Sequence, residues 1–357
     1  MKTYIKYIIL NFIQKIFIIN FIFFLLVLLL NLFEEINFFK DKLDSLYYPI
    51  LLNFLNAPTI LNKVFPFIFL ISTQFFIINL IEKNELMILK NFGIDNFKII
   101  SLIASVSFFV SLFLVLFFYN FSAQLKHIYL DIKNDFATDN KYLAVITENG
   151  IWIKDEINNN INIINAHSIK GENLRKVVIT ELDQNFNPKK YIYSNEVLIK
   201  DKTWNIKKGI IIENNIRKVK ENIQFQSNFN SEKINTLFSN LNSLTLWELF
   251  KLRKDYISVG YSVNEINLHL QKIYSFPIYL TILTVFASVL MLNVPVNKPK
   301  IFYLLMGIFV SVLIFYINHF SSLLGENNKL PVIMSVWLPH VIVSILTAIG
   351  MVRVNEK

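Results

Sequence analysis

Hydrophobic residues along this chain follow two rhythms. Six apolar runs, at Ile8–Phe33, Thr59–Ile81, Ile99–Phe121, Lys272–Asn293, Ile301–Leu323 and Val332–Val352, are long enough to cross a membrane as helices. About 20 apolar residues, each rising about 1.5 Å, match the ~30 Å hydrocarbon core of a bilayer. Between the third and fourth runs the rhythm changes to apolar–polar alternation, the period of half-buried strands. YLAVITENGIWIKDE (Tyr142–Glu156) places two short strands around Asn149-Gly150, a pair that favours a tight hairpin turn. LRKVVITELD and YIYSNEVLIKDKTWNIKKGIIIE continue the strand pattern. The expected fold is a membrane α-helical protein of six spans with an inserted all-β domain, a sandwich or open barrel.

Local signals divide the chain further. Thr245-Leu-Trp-Glu248 and Ser262-Val-Asn-Glu265 are capping boxes, in which a hydroxyl and a carboxylate reciprocally satisfy the free N–H groups of a helix start. The first opens a helix that Gly260 would stop, and the second opens one that runs into span 4. The domains read from the sequence are 1–121 (spans 1 to 3), 122–242 (β domain), 243–271 (helical connector) and 272–357 (spans 4 to 6). Pro66, Pro277 and Pro339 fall inside spans, where neighbouring helices can satisfy the carbonyls that proline frees. NLFEEINFFK follows the first run without a small-residue cleavage site, so that run reads as a span, not a removed signal.

Composition sharpens the picture. The chain has 357 residues, 54% of them hydrophobic, and a mean hydropathy of +0.46, too apolar for an ordinary soluble domain. The net charge of +9 has no basic stripe with interleaved aromatics to suggest nucleic-acid binding. It reads as lysines holding a cytoplasmic face. Lys2, Lys6 and Lys15, then Lys83, Lys90 and Lys98, then Lys298 and Lys300, and finally Arg353 and Lys357 fall on one side of the alternating spans. This predicts cytoplasmic termini and an external β domain. With no cysteine, disulfides and thiolate metal sites are excluded. There is no GxxxxGK[ST], HExxH or GxSxG, and the five histidines are scattered. The pattern fits a chain that moves or holds something, not one that makes or breaks bonds.

One short stretch asks for more than a loop. KNELMILKNFGIDNFKII (Lys83–Ile100) joins spans 2 and 3. Asn84 reads as a helix N-cap, Glu85 suits the positive end of the helix dipole, and Leu86, Leu89 and Phe92 share one face. Gly93 suits a left-handed stop with Ile94 packing back, Asp95 can cap span 3, and Asn96 is expected at the surface. So short a helix is marginal alone and needs a surface to dock against. That surface is either the cytoplasmic ends of its own spans or a groove in a separate ATPase.

The ordered set of motifs resembles the LptF/LptG permease family of lipopolysaccharide export. ELMILKNFGI resembles the segment after its span 2, NGIWIKDE its early N-G-x-W hairpin, and LWELFKLRKDYISVGYSVNEINLHLQKIYSFP its run into span 4. LPVIMSVWLP (Leu330–Pro339) and the acidic LFEE after span 1 are closer to LptG-type members. The resemblance implies a jellyroll-like periplasmic domain, an inner-membrane location and no cofactor. It also implies a coupling helix at 84–94, carried by Glu85, Leu86, Leu89, Lys90, Gly93 and Ile94. The implied partners are a homologous LptF-type (or LptG-type) permease subunit, a cytoplasmic ATPase dimer (LptB-like), and an LptC-like single-span protein with a periplasmic bridge. ATP hydrolysis belongs to the ATPase, and the cargo is lipopolysaccharide. Lys40 and Lys42, near Glu34, are the candidate contacts for lipid phosphates, against the alternative that they are snorkelling interfacial residues. The family carries its basic residues nearer the outer end of span 1, whereas here Glu34 and Glu35 come first. The strand positions Val197, Ile199, Ile206 and Ile210 are expected to include some that face acyl chains. The alternatives are a permease of the lipoprotein-release or mechanotransmission class, or a non-transporting scaffold or sensor. Members of that other permease class carry their outer domain after the first of four spans, not the third.

Overall fold

The computed structural model describes residues 3–40, 46–136, 151–157, 160–183, 187–213, 216–231, 234, 240–258, 261–293 and 299–355. Residues 1–126 and 264–357 form one compact unit and 127–263 a second. The hairpin expected at Asn149-Gly150 and the stop expected at Gly260 lie outside the described residues.

In the first unit every apolar run is a helix, and each helix extends past its run at one end or both. α1 spans Thr3–Phe39 and α2 Tyr47–Glu82. The seven-residue α3 spans Glu85–Asn91. α4 (Asn96–Phe113) passes through a π-helical turn, Leu114–Phe118, into α5 (Tyr119–Asp135). After the second unit come α7 (Asn264–Leu292), α8 (Lys300–Glu326) and α9 (Val332–Asn355). Among the described residues, six segments (α1, α2, α4 through α5, α7, α8 and α9) are long and apolar enough to span a membrane. The π turn carries one extra residue, which rotates everything after it by about 100° relative to a regular helix. That brings Ser122 to Thr59 and Asn62 of α2, and Tyr119 to His269 of α7.

Lipid offers no hydrophobic drive between spans, so close approach and polar cross-links hold them together. A Cβ at Gly307 would overlap Gln74 of α2, and one at Gly325 would overlap Ser335 of α9. Ser107 and Thr284 share a hydrogen bond of 2.8 Å between α4 and α7. Near the α1–α2 turn, Asn31 donates to Asn53 (2.8 Å), Asn56 donates to Asn31 (3.0 Å) and Lys126 donates to Asn56 (2.8 Å). This buried ladder ties three helices together. α2 and α7 are the centre of the unit, whereas only 22% of the most apolar stretch of α1 and 17% of that of α8 are buried.

The second unit holds a six-stranded antiparallel meander in chain order. Its strands are β1 (Ile151–Ile157), β2 (Asn160–Lys170), β3 (Asn173–Leu182), β4 (Pro188–Leu198), β5 (Thr203–Glu213) and β6 (Ile216–Gln226). The described strands run up and down without the crossovers between two sheets that distinguish a jellyroll. The buried positions break parity once in each inner strand. They are Ile164, Ala166 and then Ile169 in β2, and Val177 after Leu174 in β3. In β4 they are Ile192 and then Val197, and in β5 Ile206 and then Gly209. An odd step would turn a regular strand's side chain outward. Here the backbone absorbs it. Lys176 (φ 48°) and Asn222 (φ 51°) are left-handed, and the pairs His167 with Lys176, Asn195 with Lys176 and Lys207 with Asn222 drop out of the register. A crease therefore crosses the sheet and lets it fold while keeping one face inside.

A short segment after β6 closes the fold. Asp155 on β1 is buried, and its carboxylate accepts from the Ser227 hydroxyl (2.8 Å), the Asn228 amide N–H (3.0 Å) and the Asn228 side chain (2.8 Å). The Trp204 indole of β5 donates to the Phe229 carbonyl (2.7 Å). The two ends of the meander are thus bound through residues 227–229. α6 (Leu246–Ser258) starts in the expected capping box, where the Thr245 N–H donates to Glu248 (2.8 Å). Tyr261 bridges back to β1 by donating to the Trp152 carbonyl and accepting from the Lys154 N–H. Burial raises its hydroxyl above the ordinary tyrosine value, which keeps it neutral.

Asp155→Ala removes the acceptor of three hydrogen bonds and strands the Asn228 donors. The second unit should lose about 2–4 kcal/mol. In limited proteolysis of the full-length protein, cleavage within 127–263 should accelerate while the helical unit stays protected.

Candidate functional site

The turn between α2 and α4 is built residue by residue. Asn84 stands at the N-cap position of α3, and its carbonyl accepts from the Ile88 N–H at 3.2 Å. It stands in the left-handed region (φ 59°) with no side-chain capping bond, and its N–H donates to the Ile81 carbonyl. Asparagine tolerates that conformation, and here it ends α2 and reverses the chain. α3 closes on a left-handed glycine. Gly93 (φ 74°) donates to the Lys90 carbonyl at 2.9 Å and Ile94 to the Leu89 carbonyl at 3.1 Å, the paired bonds of a Schellman stop. Ile94 and Leu89 are buried together. Asp95 then caps α4, accepting from the Lys98 N–H at 3.0 Å.

Two faces result. Leu86, Leu89 and Ile94 pack into the apolar cluster formed by the first turns of α1 with α2 and α4, including Tyr4, Ile8 and Ile77. The opposite face is bare. Met87 is 66% exposed, Ile88 52% and Phe92 80%. Phe92 therefore does not share the buried face with Leu86 and Leu89, because the stop at Gly93 turns the last residue of the turn outward. Glu85 is half-buried and hydrogen-bonds the Tyr7 hydroxyl of α1. Asn96 is buried, not at the surface, and donates to the Val354 carbonyl at the end of α9 (3.0 Å). Glu82 pairs with Lys300 at 3.4 Å. This end of the helical unit thus links α1, α2, α3, α4, α8 and α9 through named contacts. The sequence reading missed Tyr7 and Asn96, since nothing local marks either as a cross-link.

The candidate phosphate contacts are not drawn together. Lys40 is exposed in the turn after α1, Glu34 is exposed and Glu35 is buried. Lys42 lies outside the described residues. A different group of charges gathers around α7, where Lys272 pairs with Glu326 at 3.6 Å and Lys63 and His269 lie nearby. Among the described residues no cluster of three or more acidic or histidine side chains could hold a metal.

On the β unit, Val197, Ile199 and Ile206 are fully buried core residues, so they do not face an open lipid path. Ile210 belongs to the other face. The register aligns Trp152, Asn165, Val178, Tyr193, Ile210 and Val219 across all six strands. Trp152 is 55% exposed, Tyr193 39% and Val219 62%. The sheet thus carries a second, half-open apolar face.

Six long apolar helices, a short docked helix with a bare apolar face and an inserted β unit describe a multi-pass membrane protein. The model of the lipopolysaccharide export system permease family LptF/LptG matches residues 6–353, nearly the whole chain, and the protein belongs to that family. A search of curated proteins finds no match.

Gly93→Val tests the stop directly. Nothing lies within 4 Å of a Cβ built at Gly93, so the cost is backbone strain alone, about 1–2 kcal/mol for a left-handed non-glycine residue and more for a β-branched one. Gly93→Asn should behave almost as wild type. Both should insert into the membrane equally, and thermal melting of the detergent-solubilised protein should rank wild type ≈ Asn > Val.

Proposed function

We propose that this chain is an LptG-type permease subunit that extracts lipopolysaccharide from the outer leaflet of the inner membrane, with its termini cytoplasmic and its β unit periplasmic. The reading is carried by the bare apolar face of α3 on a helix too short to stand alone, within a chain that matches the family from end to end. Met87, Ile88 and Phe92 form the surface that a cytoplasmic ATPase groove would cover. Glu85 beside them would meet a basic group of that groove, and Lys90 flanks the same helix. Lysine placement supports the orientation, since Lys6, Lys83, Lys90, Lys98, Lys300 and Arg353 all sit at the α3 end of the spans.

The partially uncovered α1 and α8 support a paired permease. Their apolar surface meets lipid or a homologous subunit, and the cargo cavity would form between the two copies, with α1 of one against α8 of the other. An LptC-like span and a periplasmic bridge complete the proposed assembly. ATP binding by the partner would narrow the cavity, and the half-open face of the sheet, through Trp152 and Val219, would receive acyl chains. Lys40, and Lys42 beyond the described turn, remain the candidate phosphate contacts beside Glu34.

Glu85→Lys places repulsion at a partly desolvated contact, a loss on the order of 2–5 kcal/mol. It should abolish recovery of the ATPase in a pull-down and stop ATP-dependent lipid release. Tyr7→Phe removes only the internal hydrogen bond and should keep the ATPase bound. If α3 merely packed on its own spans, Tyr7→Phe would match Glu85→Lys, and Glu85→Lys would leave recovery normal. Gln124→Lys, an exposed substitution at the other end of the spans, is the control.

A photo-crosslinker at Trp152 or Val219 should capture lipopolysaccharide only with ATP and an active ATPase. Crosslinkers at Val197 or Ile206 should capture none. Equal labelling without ATP would make the sheet a passive lipid binder.

A further inference from the structure

The crease in the sheet opens a cleft. Between β4 and β5 the register stops at Tyr193 with Ile210 and resumes only at Leu198 with Asn205. The Ser194 hydroxyl fills part of the gap by donating to the Lys208 carbonyl (3.0 Å). Over the gap lies a cleft of about 590 Å³, a volume suited to a small ligand. Its walls carry three cations, Lys176, Lys207 and Lys208, against one carboxylate, Glu196. Asn195 and Asn205 supply paired donors and acceptors, and Tyr193 supplies a ring. Tyr193 stacks on Tyr191, with centroids 6.4 Å apart and planes at 23°, which fixes its plane.

Lys176 makes this more than a surface dent. A lysine held at φ 48° in mid-strand is strained, and such outliers gather where a fold presents side chains for a purpose. Here the left-handed backbone delivers Lys176 into the cleft. A flat aromatic ring, side-chain amides and fixed cations together recognise a sugar ring bearing an anionic group. The ring covers the C–H face, the amides pair with hydroxyls, and the lysines meet carboxylate or phosphate.

We propose that this cleft binds an acidic saccharide, carboxylated or phosphorylated. The site would hold the glycan headgroup of the cargo while acyl chains occupy other surfaces. This proposal rests on the export reading for its cargo, but the cleft can be tested separately.

The experiment uses the full-length protein with its permease partner and ATPase in lipid nanodiscs. One arm adds fluorescently labelled, delipidated lipopolysaccharide oligosaccharide in solution. A second embeds intact lipopolysaccharide in the disc and reads crosslinking from a photoreactive residue at Asn195. Inorganic phosphate is the competitor. Saturable binding in solution shows a site open to free acidic glycan, and crosslinking without it shows a site restricted to the lipid-anchored headgroup. In whichever arm gives signal, the double variant K176Q/K207Q should weaken it at least about tenfold, as expected for losing two charge-assisted contacts. Tyr193→Ala should weaken it similarly, and Lys190→Gln, on β4 outside the cleft, should not. Signal in neither arm, unchanged signal in the double variant, or displacement by phosphate as effective as by the unlabelled oligosaccharide would overturn the saccharide site. ATP-dependent lipid release by the same wild-type complex is measured alongside. Its absence would fail the export reading, whereas release without cleft binding would fail this proposal alone.

Discussion

A seven-residue helix cannot hold itself together, and the α3 end of the helical unit is arranged around that fact. α3 persists because Leu89 and Ile94 are buried, a glycine closes its last turn and Asp95 restarts the chain within four residues. Nothing in that sequence of turns is slack. α3 is joined to α4 by the Schellman stop and to α1 by Glu85 and Tyr7, and α4 is joined to α9 by Asn96 and Val354. The same contacts that stabilise α3 therefore tie it to its neighbours, because a docked helix with no loose linker can move only by moving what it touches.

The sheet meets a different constraint. A meander has two faces and needs to bury at least one, yet a flat sheet of six strands has no second layer to bury it against. The crease resolves this by folding the sheet on itself, with Lys176 and Asn222 held left-handed. The strain of about 1–3 kcal/mol per residue is offset by core burial on both sides of the fold line. Residues 227–229 then lock the rolled sheet through Asp155 and Trp204. The cost of the device is an interrupted ladder between β4 and β5, and the polar cleft lies over that interruption.

How much of this is legible in the sequence follows from how local each cause is. The spans are set by uninterrupted apolar runs and were readable, though the helices overrun them because a helix continues into the headgroup region once started. Gly93 and Asp95 were readable because their roles depend on neighbours within five residues. Asn84 was readable as the N-cap position, but its left-handed backbone and missing side-chain bond were not, because asparagine serves both as a cap and as a left-handed stop and the path of α2 decides its conformation. Asn96 and the Asn31–Asn53–Asn56–Lys126 ladder depend on partners 22 to 258 residues away. The crease was invisible, since a lysine forced into a left-handed turn leaves no compositional trace. That is why Val197 and Ile206, which alternate correctly as strand residues, turned out to face the core.

The exposed surfaces of α1 and α8 then limit what one chain can do. Moving an acyl chain out of a bilayer costs about 0.8 kcal/mol per methylene, so a multi-acyl lipid needs far more than the contacts of a single open helix can return. In the proposed assembly a closed cavity needs a second wall, and the energy to empty it comes from the ATPase at the α3 end of the spans. α1 is the element that meets both demands. Its middle is bare for a partner or a lipid, while its first turns pack against α3 through Tyr4, Ile8 and Tyr7. In the proposed assembly, the helix that borders the cargo is therefore also the one tied to α3 through Tyr7 and Glu85.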